Sequence, residues 1–378
     1  MLRAGVGERF TVLFAGGGTG GHVYMGIALA SLLRQIDPSA GVSFAGSEKG
    51  IENRIVPELG YPLETIKLGG LKNVGIARSL STMAQLVPAM FKSIGIVRRF
   101  SPSLIVSVGG YSAGPLALAG RIRGVPLVLI EPNAYPGFTN RILSRIAQGA
   151  ALAWEDCREF FKGEVEITGI PVRPEFHRIP EYSGREGRPF RLLVFGGSQG
   201  SRPINNLVVE ALPYLSNHEL EIVHQTGPYD FEKVSEGYRE SKMQNADILE
   251  YIDDMPEKFS WCDLILCRAG ASTVAEVTAA GRASILVPFP QAADNHQRKN
   301  AEALGHRNAS MCLLQESLSG KKLAEHINGL ARDRDRIAAM AARARELSRP
   351  DSSEKIITLM QRVEGSPGQD SGSGNQDH

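Results

Sequence analysis

A glycine-rich run followed by a histidine could hold a ligand and move a proton. Residues 16–21 have the spacing G-x-G-x-x-G after a short apolar run, and His22 follows directly. Such glycines let backbone N–H groups approach a pyrophosphate or a sugar at the start of the next helix. The helix N-terminus lowers an imidazole pKa, so His22 would be neutral near pH 7 and able to accept a proton. Capping or packing of the helix is the alternative role for this histidine.

A dinucleotide site would explain the same glycines. It requires an acid close to the end of the second strand, and Glu48 has suitable spacing. A histidine directly after the glycines is unusual in that setting. An NAD-dependent dehydrogenase therefore stays an alternative, and NADH binding would reveal it.

Further polar groups follow other strand-like runs in the first half. Residues 109–115 read Gly-Gly-Tyr-Ser-Ala-Gly-Pro, and Glu131 and Asn133 come after the next run. Open α/β sheets bind ligands at the carboxyl ends of their strands, so these groups would line one crevice. Simple tight turns explain residues 109–115 nearly as well. Glu131 could instead serve a helix dipole or an arginine.

The second half offers groups suited to a nucleotide sugar. Residues 196–200, Gly-Gly-Ser-Gln-Gly, form a diphosphate cradle with the Ser198 hydroxyl. Glu276 lies on a helix that opens near Ser272 and could accept both ribose hydroxyls. Thr273 and Glu276 also have capping-box spacing, so a helix cap is the alternative. Residues 294–297, Asp-Asn-His-Gln, suit a sugar better than hydride transfer. The D-x-D at residues 333–335 lies in a charged helical run and is interpreted as solvated surface, not a metal site.

Short apolar runs alternate with helix-like segments along the chain. The runs are residues 11–15, 42–45, 104–108, 127–130, 191–195, 222–225, 264–267 and 284–287. This alternation predicts an α/β protein with parallel sheets. A strand–glycine–helix opening occurs twice, about 180 residues apart, which predicts two tandem Rossmann-like domains.

The predicted boundaries follow from the prolines and polar residues between the two openings. The first domain covers residues 8–172 and the second covers residues 173–349. A C-terminal helix at about 350–364 should pack back on the first domain. Residues 365–378 lack apolar side chains and are predicted to be disordered.

Composition narrows the class of partner. Lys plus Arg number 42 and Asp plus Glu 41, a net charge of +1, which argues against nucleic acid as a partner. Four cysteines without metal-binding spacing indicate reduced thiols of a cytoplasmic protein.

Residues 65–130 contain no acid and carry eight basic residues among helically spaced apolar ones. This segment predicts a face for an anionic membrane or ligand, with a core-facing helix as the alternative. The face would include Lys72, Arg78, Phe91, Lys92, Arg98 and Arg99.

The motifs, in their order, resemble glycosyltransferase family 28, in particular the enzymes that add N-acetylglucosamine to lipid I in peptidoglycan synthesis. Beyond those quoted, they include Thr-Gly-Ile-Pro-Val-Arg at 168–173, Tyr-Ile-Asp-Asp-Met at 251–255 and Cys-Arg-Ala-Gly at 267–270. The resemblance covers roughly residues 10–362. It implies the GT-B fold, α/β with two Rossmann-like domains whose parallel sheets face each other across a cleft. It also implies inverting transfer from UDP-GlcNAc to the C4 hydroxyl of undecaprenyl-diphosphate-linked N-acetylmuramyl-pentapeptide (lipid I), giving lipid II.

The resemblance also implies roles for individual residues, with no metal ion and no cofactor. His22 would be the general base, Ser198 would contact the diphosphate, and Glu276 would contact the ribose. The remaining implied contacts to UDP-GlcNAc are Thr19, Gly20, Gly21 and Asn133 (at the sugar and acceptor end), Arg173, Ile252 (uracil, through its backbone), the helix-start amides of Ala271, Ser272, Thr273, Val274 and Ala275, and Gln297.

The implied setting is the cytoplasmic face of the inner membrane, where the protein would be peripheral. Its partners would be UDP-GlcNAc, lipid I, the anionic membrane surface and other cell-wall synthesis proteins, in processes that determine cell shape and division. Another GT-B enzyme that uses a UDP-sugar, such as a UDP-GlcNAc 2-epimerase or a natural-product glycosyltransferase, is the nearest alternative. A pure binding module is the weakest one.

Overall fold

The computed structural model describes residues 9–18, 20–68, 76–184, 187–216, 220–241, 243 and 245–366, with no side chains described for 76–84. The chain forms two compact units. The first contains the described residues before Pro132, Pro136–Pro171 and those after Pro350. The second contains Pro132–Tyr135 and Val172–Pro350.

The units are built from alternating strands and helices. The strands are β1 Thr11–Gly16, β2 Gly41–Ser47, β3 Leu63–Ile66, β4 Leu104–Gly109, β5 Leu127–Glu131, β6 Gly149–Leu152, β7 Glu164–Ile167, β8 Phe190–Phe195, β9 Leu220–Gln225, β10 Ala246–Leu249, β11 Leu264–Cys267, β12 Ala283–Leu286 and β13 Met311–Cys312. The helices are α1 Gly20–Ile36, α2 Glu52–Glu58, α3 Ile76–Phe100, α4 Ala113–Ile122, α5 Phe138–Leu143, α6 Pro174–His177, α7 Arg202–Ala211, α8 Phe231–Glu240, α9 Met255–Trp261, α10 Ala271–Ala280, α11 His296–His306, α12 Gly320–Arg332, α13 Arg334–Glu346 and α14 Ser352–Gly365.

The first unit contains a seven-stranded parallel sheet in the order β3-β2-β1-β4-β5-β6-β7. Its central strands are continuous apolar runs, because a parallel sheet covered by helices is buried on both faces. Leu13, Ile105 and Leu129 are fully buried there. The strand order reverses between β1 and β4, so the connections that follow these two strands run in opposite directions across the sheet. Open α/β sheets bind ligands at such a switch point.

The C-terminal helix α14 belongs to the first unit. A Cβ built on Gly149 would lie 2.8 Å from Val363 Cγ2, so this helix packs directly on β6. Arg362 forms ion pairs with Glu164 and Glu166 of β7. The helix includes Gly365, which the sequence placed in the tail. The rest of the predicted disordered tail, residues 367–378, lies outside the described residues.

The second unit contains a six-stranded parallel sheet in the order β10-β9-β8-β11-β12-β13. Its core includes Leu192, Leu266 and Ile285. Asp263, directly before β11, is fully buried. It accepts hydrogen bonds from the Arg188 guanidinium at 2.7 and 2.8 Å and from the Tyr182 hydroxyl at 3.0 Å. The two parallel-sheet units confirm the predicted α/β class with two Rossmann-like domains.

The four cysteines form no disulfide bond, and Cys157, Cys262 and Cys267 are buried. Burial raises the pKa of the Cys262 thiol to about 12, so this side chain stays protonated and inert at neutral pH. None of the described helices is long and apolar enough to cross a membrane.

Candidate functional site

In the first unit, the glycine-rich loop after β1 packs against the loop after β4. The Gly17 N–H donates to the Gly109 carbonyl at 3.2 Å. A Cβ built on Gly110, whose φ is +89°, would lie 2.6 Å from the Gly17 carbonyl oxygen. The close approach therefore requires glycine, and the two loops that the sequence assigned to one sheet edge are in contact.

His22 lies where these two loops meet. It is a half-buried residue of the first turn of α1, and a Cβ on Gly109 would be 3.1 Å from its Nε2 atom. The imidazole therefore lies over Gly109. Gly20 and Gly21 open the same helix, and Gly21 is exposed. Thr19 lies outside the described residues.

Glu131, at the end of β5, supports the chain rather than facing an open site. It is 1% exposed, and its Oε2 atom accepts hydrogen bonds from the Gly137 N–H and the Asn140 side-chain amide, both at 3.0 Å. These bonds hold the turn into α5. Glu131 therefore supports the start of a helix, which agrees with the helix-dipole alternative raised for it.

Asn133 belongs to the second unit, where Asn300 of α11 holds it. The Asn300 side-chain amide donates to Asn133 Oδ1 at 3.1 Å and to the Ala269 carbonyl at 3.2 Å. Its Oδ1 atom accepts from the Ala134 N–H at 2.8 Å. Sequence reasoning missed Asn300, because a lone asparagine inside a helix carries no recognisable signal.

In the second unit, Gln225 connects the glycine-rich loop after β8 with the segment around Ile252, two candidate segments for binding a nucleotide sugar. Its Nε2 donates to the Gly197 carbonyl, and its Oε1 accepts from the Ile252 N–H, both at 2.9 Å. Because Gln225 is 1% exposed, water does not compete for these bonds. Ser198 is exposed in the loop whose shape this glutamine supports. The Ile252 N–H is donated to Gln225, so its carbonyl is the backbone group that a ligand could use.

Arg268, directly after β11, connects the ends of neighbouring elements. Its guanidinium donates to the Ser201 hydroxyl at 2.9 and 3.1 Å, to the Val287 carbonyl at 3.1 Å and to the Pro288 carbonyl at 3.0 Å. Burial lowers the pKa of Arg268 to about 10, so it is still cationic at neutral pH. A fixed positive charge thus lies beside the start of α7.

Helix α10 begins without a side-chain cap. Gly270 is the N-cap residue, so the capping box suggested by Thr273 and Glu276 does not form. The Val274 N–H donates to the Gly270 carbonyl at 2.9 Å. Of the predicted helix-start amides, those of Ala271, Ser272 and Thr273 precede the first intrahelical bond and point beyond the helix, whereas those of Val274 and Ala275 lie within its bonded turns.

Glu276 lies one turn further along α10. Burial raises its pKa to about 7, and the positive charge of Arg173 acts in the opposite direction. Among the described residues, no group donates a hydrogen bond to its carboxylate.

Arg173 is exposed, with its guanidinium 5.0 Å from the centre of the Phe176 ring. Gln297 accepts the Phe289 N–H at 3.0 Å, which fixes its amide at the start of α11.

The basic segment is divided between core and surface. Ile96 and Val97 of α3 are buried, as the core-facing alternative requires. Phe91 is 72% exposed, and Arg98 is also exposed. Lys92 pairs with Glu48 at 3.9 Å and Arg99 pairs with Glu64. Lys72 lies outside the described residues, and the side chain of Arg78 is likewise not described.

No group of three or more potential metal ligands occurs among the described residues. Asp333 of the D-x-D sequence is the N-cap of α13, and its Oδ1 accepts the Arg336 N–H at 2.9 Å. Glu48, the acid considered for a dinucleotide, is exposed and paired with Lys92.

Two Rossmann-like units, each with a glycine-rich loop and the second with an uncapped helix start beside a carboxylate, are typical of the GT-B class, to which many glycosyltransferases belong. Residues 12–152 match the glycosyltransferase family 28 N-terminal domain, and residues 191–356 match the family's C-terminal domain. The chain belongs to glycosyltransferase family 28. The prediction of a hexosyltransferase is thereby confirmed.

The chain is similar to named members of this family over nearly its whole length. It is 42% identical over 353 residues to the UDP-N-acetylglucosamine--N-acetylmuramyl-(pentapeptide) pyrophosphoryl-undecaprenol N-acetylglucosamine transferase of Geobacter sp. (strain M21), covering 92% of this chain and 95% of the relative. The enzyme of the same name from Citrifermentans bemidjiense is 41% identical, with 92% and 98% covered. The crystal structure of Acinetobacter baumannii MurG matches with a TM-score of 0.81 and 31% identity, covering 94% of this chain and all of that one.

Proposed function

We propose that this protein transfers N-acetylglucosamine from UDP-GlcNAc to the C4 hydroxyl of lipid I, giving lipid II for peptidoglycan synthesis. The observation that carries this proposal is the similarity of about 40% to transferases of that name over 92% of the chain. The second unit binds UDP-GlcNAc, and the first unit presents the acceptor.

The donor roles follow the chemistry of the second unit. The amides of Ala271, Ser272 and Thr273 and the Ser198 hydroxyl donate to the diphosphate, which also gains from the helix N-terminus. Glu276, without a donor of its own among the described residues, accepts hydrogen bonds from the ribose hydroxyls. The Ile252 carbonyl accepts the uracil N3–H. Arg173 and Gln297 complete the contacts to nucleotide and sugar.

The acceptor roles belong to the first unit and to Asn133. Thr19, Gly20 and Gly21 line the end of the site where the donor sugar meets the acceptor, and His22 is the general base. In the transfer step, the C4 oxygen attacks the anomeric carbon and His22 takes the hydroxyl proton. The bond from the anomeric carbon to the β-phosphate oxygen breaks, and UDP leaves with the electron pair. Amide donors stabilise the charge that grows on the departing diphosphate.

A peripheral position at the cytoplasmic face of the inner membrane fits a lipid-linked acceptor. Phe91 and Arg98, both exposed on α3, supply the apolar and basic contacts that such a surface requires. We further expect contacts with other cell-wall synthesis proteins, which would couple this step to cell shape and division.

Transfer of N-acetylglucosamine from UDP-GlcNAc to a lipid I analogue, measured by UDP release and by the mass of the product, tests the proposal. Product with both substrates and no UDP release from UDP-GlcNAc alone is the expected result. Conversion of UDP-GlcNAc without an acceptor would instead identify a 2-epimerase. Binding of NADH in a fluorescence titration would favour the dehydrogenase.

A further inference from the structure

A buried carboxylate lies behind the glycine-rich loop of the first unit. Glu52, the first residue of α2, is 2% exposed. Its two oxygens accept the Gly18 N–H at 3.0 and 3.2 Å, and Oε1 accepts the Ser47 N–H at 2.8 Å and the Ser47 hydroxyl at 3.1 Å. Among the described residues, no cation pairs with it. Its charge is thus stabilised by hydrogen-bond donors of two loops.

The surrounding chain is shaped to admit this carboxylate. A Cβ on Gly17 would lie 2.5 Å from Glu52 Oε1, and a Cβ on Gly46 would lie 2.6 Å from the same atom. A Cβ on Gly50 would overlap the carboxylate as well. Side chains at these positions are therefore incompatible with the observed place of Glu52. These glycines leave room for an internal carboxylate.

The contacts of Glu52 continue to the candidate base. Gly18 is bound to the carboxylate, and the adjacent Gly17 donates to the Gly109 carbonyl at 3.2 Å. Gly109 is the residue over which the His22 imidazole lies. A shift of the loop at Gly18 would move both the start of α1 and the surface beneath the imidazole.

We propose that Glu52 is a positioning residue, whose carboxylate fixes the glycine-rich loop so that His22 stays over Gly109 in the geometry that transfer requires. The proposal rests on the function proposed above. Glu52 also occupies the place at Gly18 that a dinucleotide pyrophosphate would need, because the amide is already donated. The glycine-rich loop therefore positions the groups around His22 and does not bind a pyrophosphate.

The variant Glu52→Gln tests this inference with little change in volume. Its amide turns an N–H₂ donor toward groups that are themselves donors, so the loop loses part of its support. We expect kcat to fall about 10²-fold, as for a small misplacement of a catalytic group. The Kd for UDP should stay within twofold, because the groups proposed to bind UDP belong to the second unit. Glu48→Gln, at an exposed position in the turn between β2 and α2, is the matched control and should retain full turnover.

A readout without turnover separates this inference from the proposed function. Nitrogen-15 NMR of the imidazoles, with the His22 signal assigned through His22→Gln, should show a shifted His22 resonance in Glu52→Gln and none in Glu48→Gln. An unchanged His22 resonance together with unchanged kcat would overturn the proposal. Equal losses of UDP affinity and kcat would also overturn it, since they would indicate general damage. Wild-type protein that transfers nothing to lipid I would refute the proposed function while the NMR comparison still tests Glu52.

Discussion

Three glutamates near the strand ends differ because their surroundings differ. Glu52 and Glu131 are almost fully buried, and each accepts hydrogen bonds from neighbouring loops. Glu276 has no such donor among the described residues, and burial raises its pKa to about 7. A carboxylate left without donors in a desolvated place is available to a ligand that brings its own hydroxyls. Burial and hydrogen bonding together thus distinguish two structural acids from the acid that we propose binds the ribose.

Replacement of His22 tests the general base. His22→Ala should lower kcat by roughly 10²–10⁴-fold, the usual contribution of a positioned proton acceptor. The Kd for UDP, measured by calorimetry, should remain unchanged, because no residue proposed to bind UDP lies in the first unit. His306→Ala, at the exposed end of α11, is the control. Full turnover in His22→Ala would show that another group takes the proton.

The raised pKa of Glu276 predicts a pH dependence of nucleotide binding. Only the ionised carboxylate offers all its lone pairs to the ribose hydroxyls, and with a pKa of about 7 the ionised fraction falls as pH is lowered. The affinity for UDP should therefore drop about tenfold between pH 8 and pH 6.

Calorimetric titrations of wild type and Glu276→Gln at both pH values measure this effect. The variant should bind UDP weakly and should retain only the smaller pH dependence that comes from the phosphates of UDP itself. An identical pH dependence in the two proteins would exclude Glu276 as its source.

At the scale of elements, helix α10 begins after Gly270, whose backbone is extended, and its first N–H groups form no hydrogen bond within the helix. Gly270 has φ −63° and ψ 147°, a conformation that a following proline accepts. Ala271 is the first helical residue, where proline is tolerated, and α6 already begins with Pro174. Ala271→Pro should therefore remove one N–H while it leaves the helix in place.

The expected loss in UDP affinity is about 10- to 100-fold, corresponding to about 1.5–3 kcal/mol for one hydrogen bond to a charged group. Binding of uridine, which lacks phosphates, should be unchanged, and so should the melting temperature. A proportional loss for uridine would mean that the substitution disturbs the whole pocket rather than the diphosphate contact.

The sequence predicted most of the strands that are buried on both faces, but it missed the edge strand β7 and the buried strand β6. All eight apolar runs coincide with strands, including Leu264–Cys267 with the same bounds. β7, Glu164–Ile167, is half-exposed at a sheet edge, so its composition is mixed. β6, Gly149–Leu152, is buried but reads Gly-Ala-Ala-Leu, without a β-branched residue. Local pattern identifies strands only where burial and propensity agree.

The candidate site divides in the same way. His22 and Ser198 were recognisable because glycine-rich turns after strands place them at the sheet edge. Glu52, Gln225 and Asn300 were not, because each acts through contacts between segments distant in sequence. A single polar residue in a helix or at a strand end gives no periodic signal, so only the folded chain identifies its partners.

At the scale of the whole molecule, a net charge of +1 conceals a local excess of basic residues. Phe91 and Arg98 are seven residues apart on α3 and lie on one face of the helix. Lys92 and Arg99 are partly neutralised by Glu48 and Glu64. Arg98 has no acidic partner among the described residues, so it should contribute most to attraction by an anionic surface.

Co-sedimentation with vesicles that contain phosphatidylglycerol tests this face. Each basic residue near an anionic surface contributes about 1 kcal/mol, so Arg98→Glu, a change of two charges, should weaken binding by about 2 kcal/mol, or about 30-fold. Phe91→Ser should also weaken binding to the vesicles. The salt dependence of binding should be the same as for wild type, because the lost contact is apolar. Arg239→Glu, exposed on α8 in the second unit, changes the total charge equally and should have a much smaller effect. Equal losses from Arg98→Glu and Arg239→Glu would show that total charge, rather than this face of α3, governs attachment.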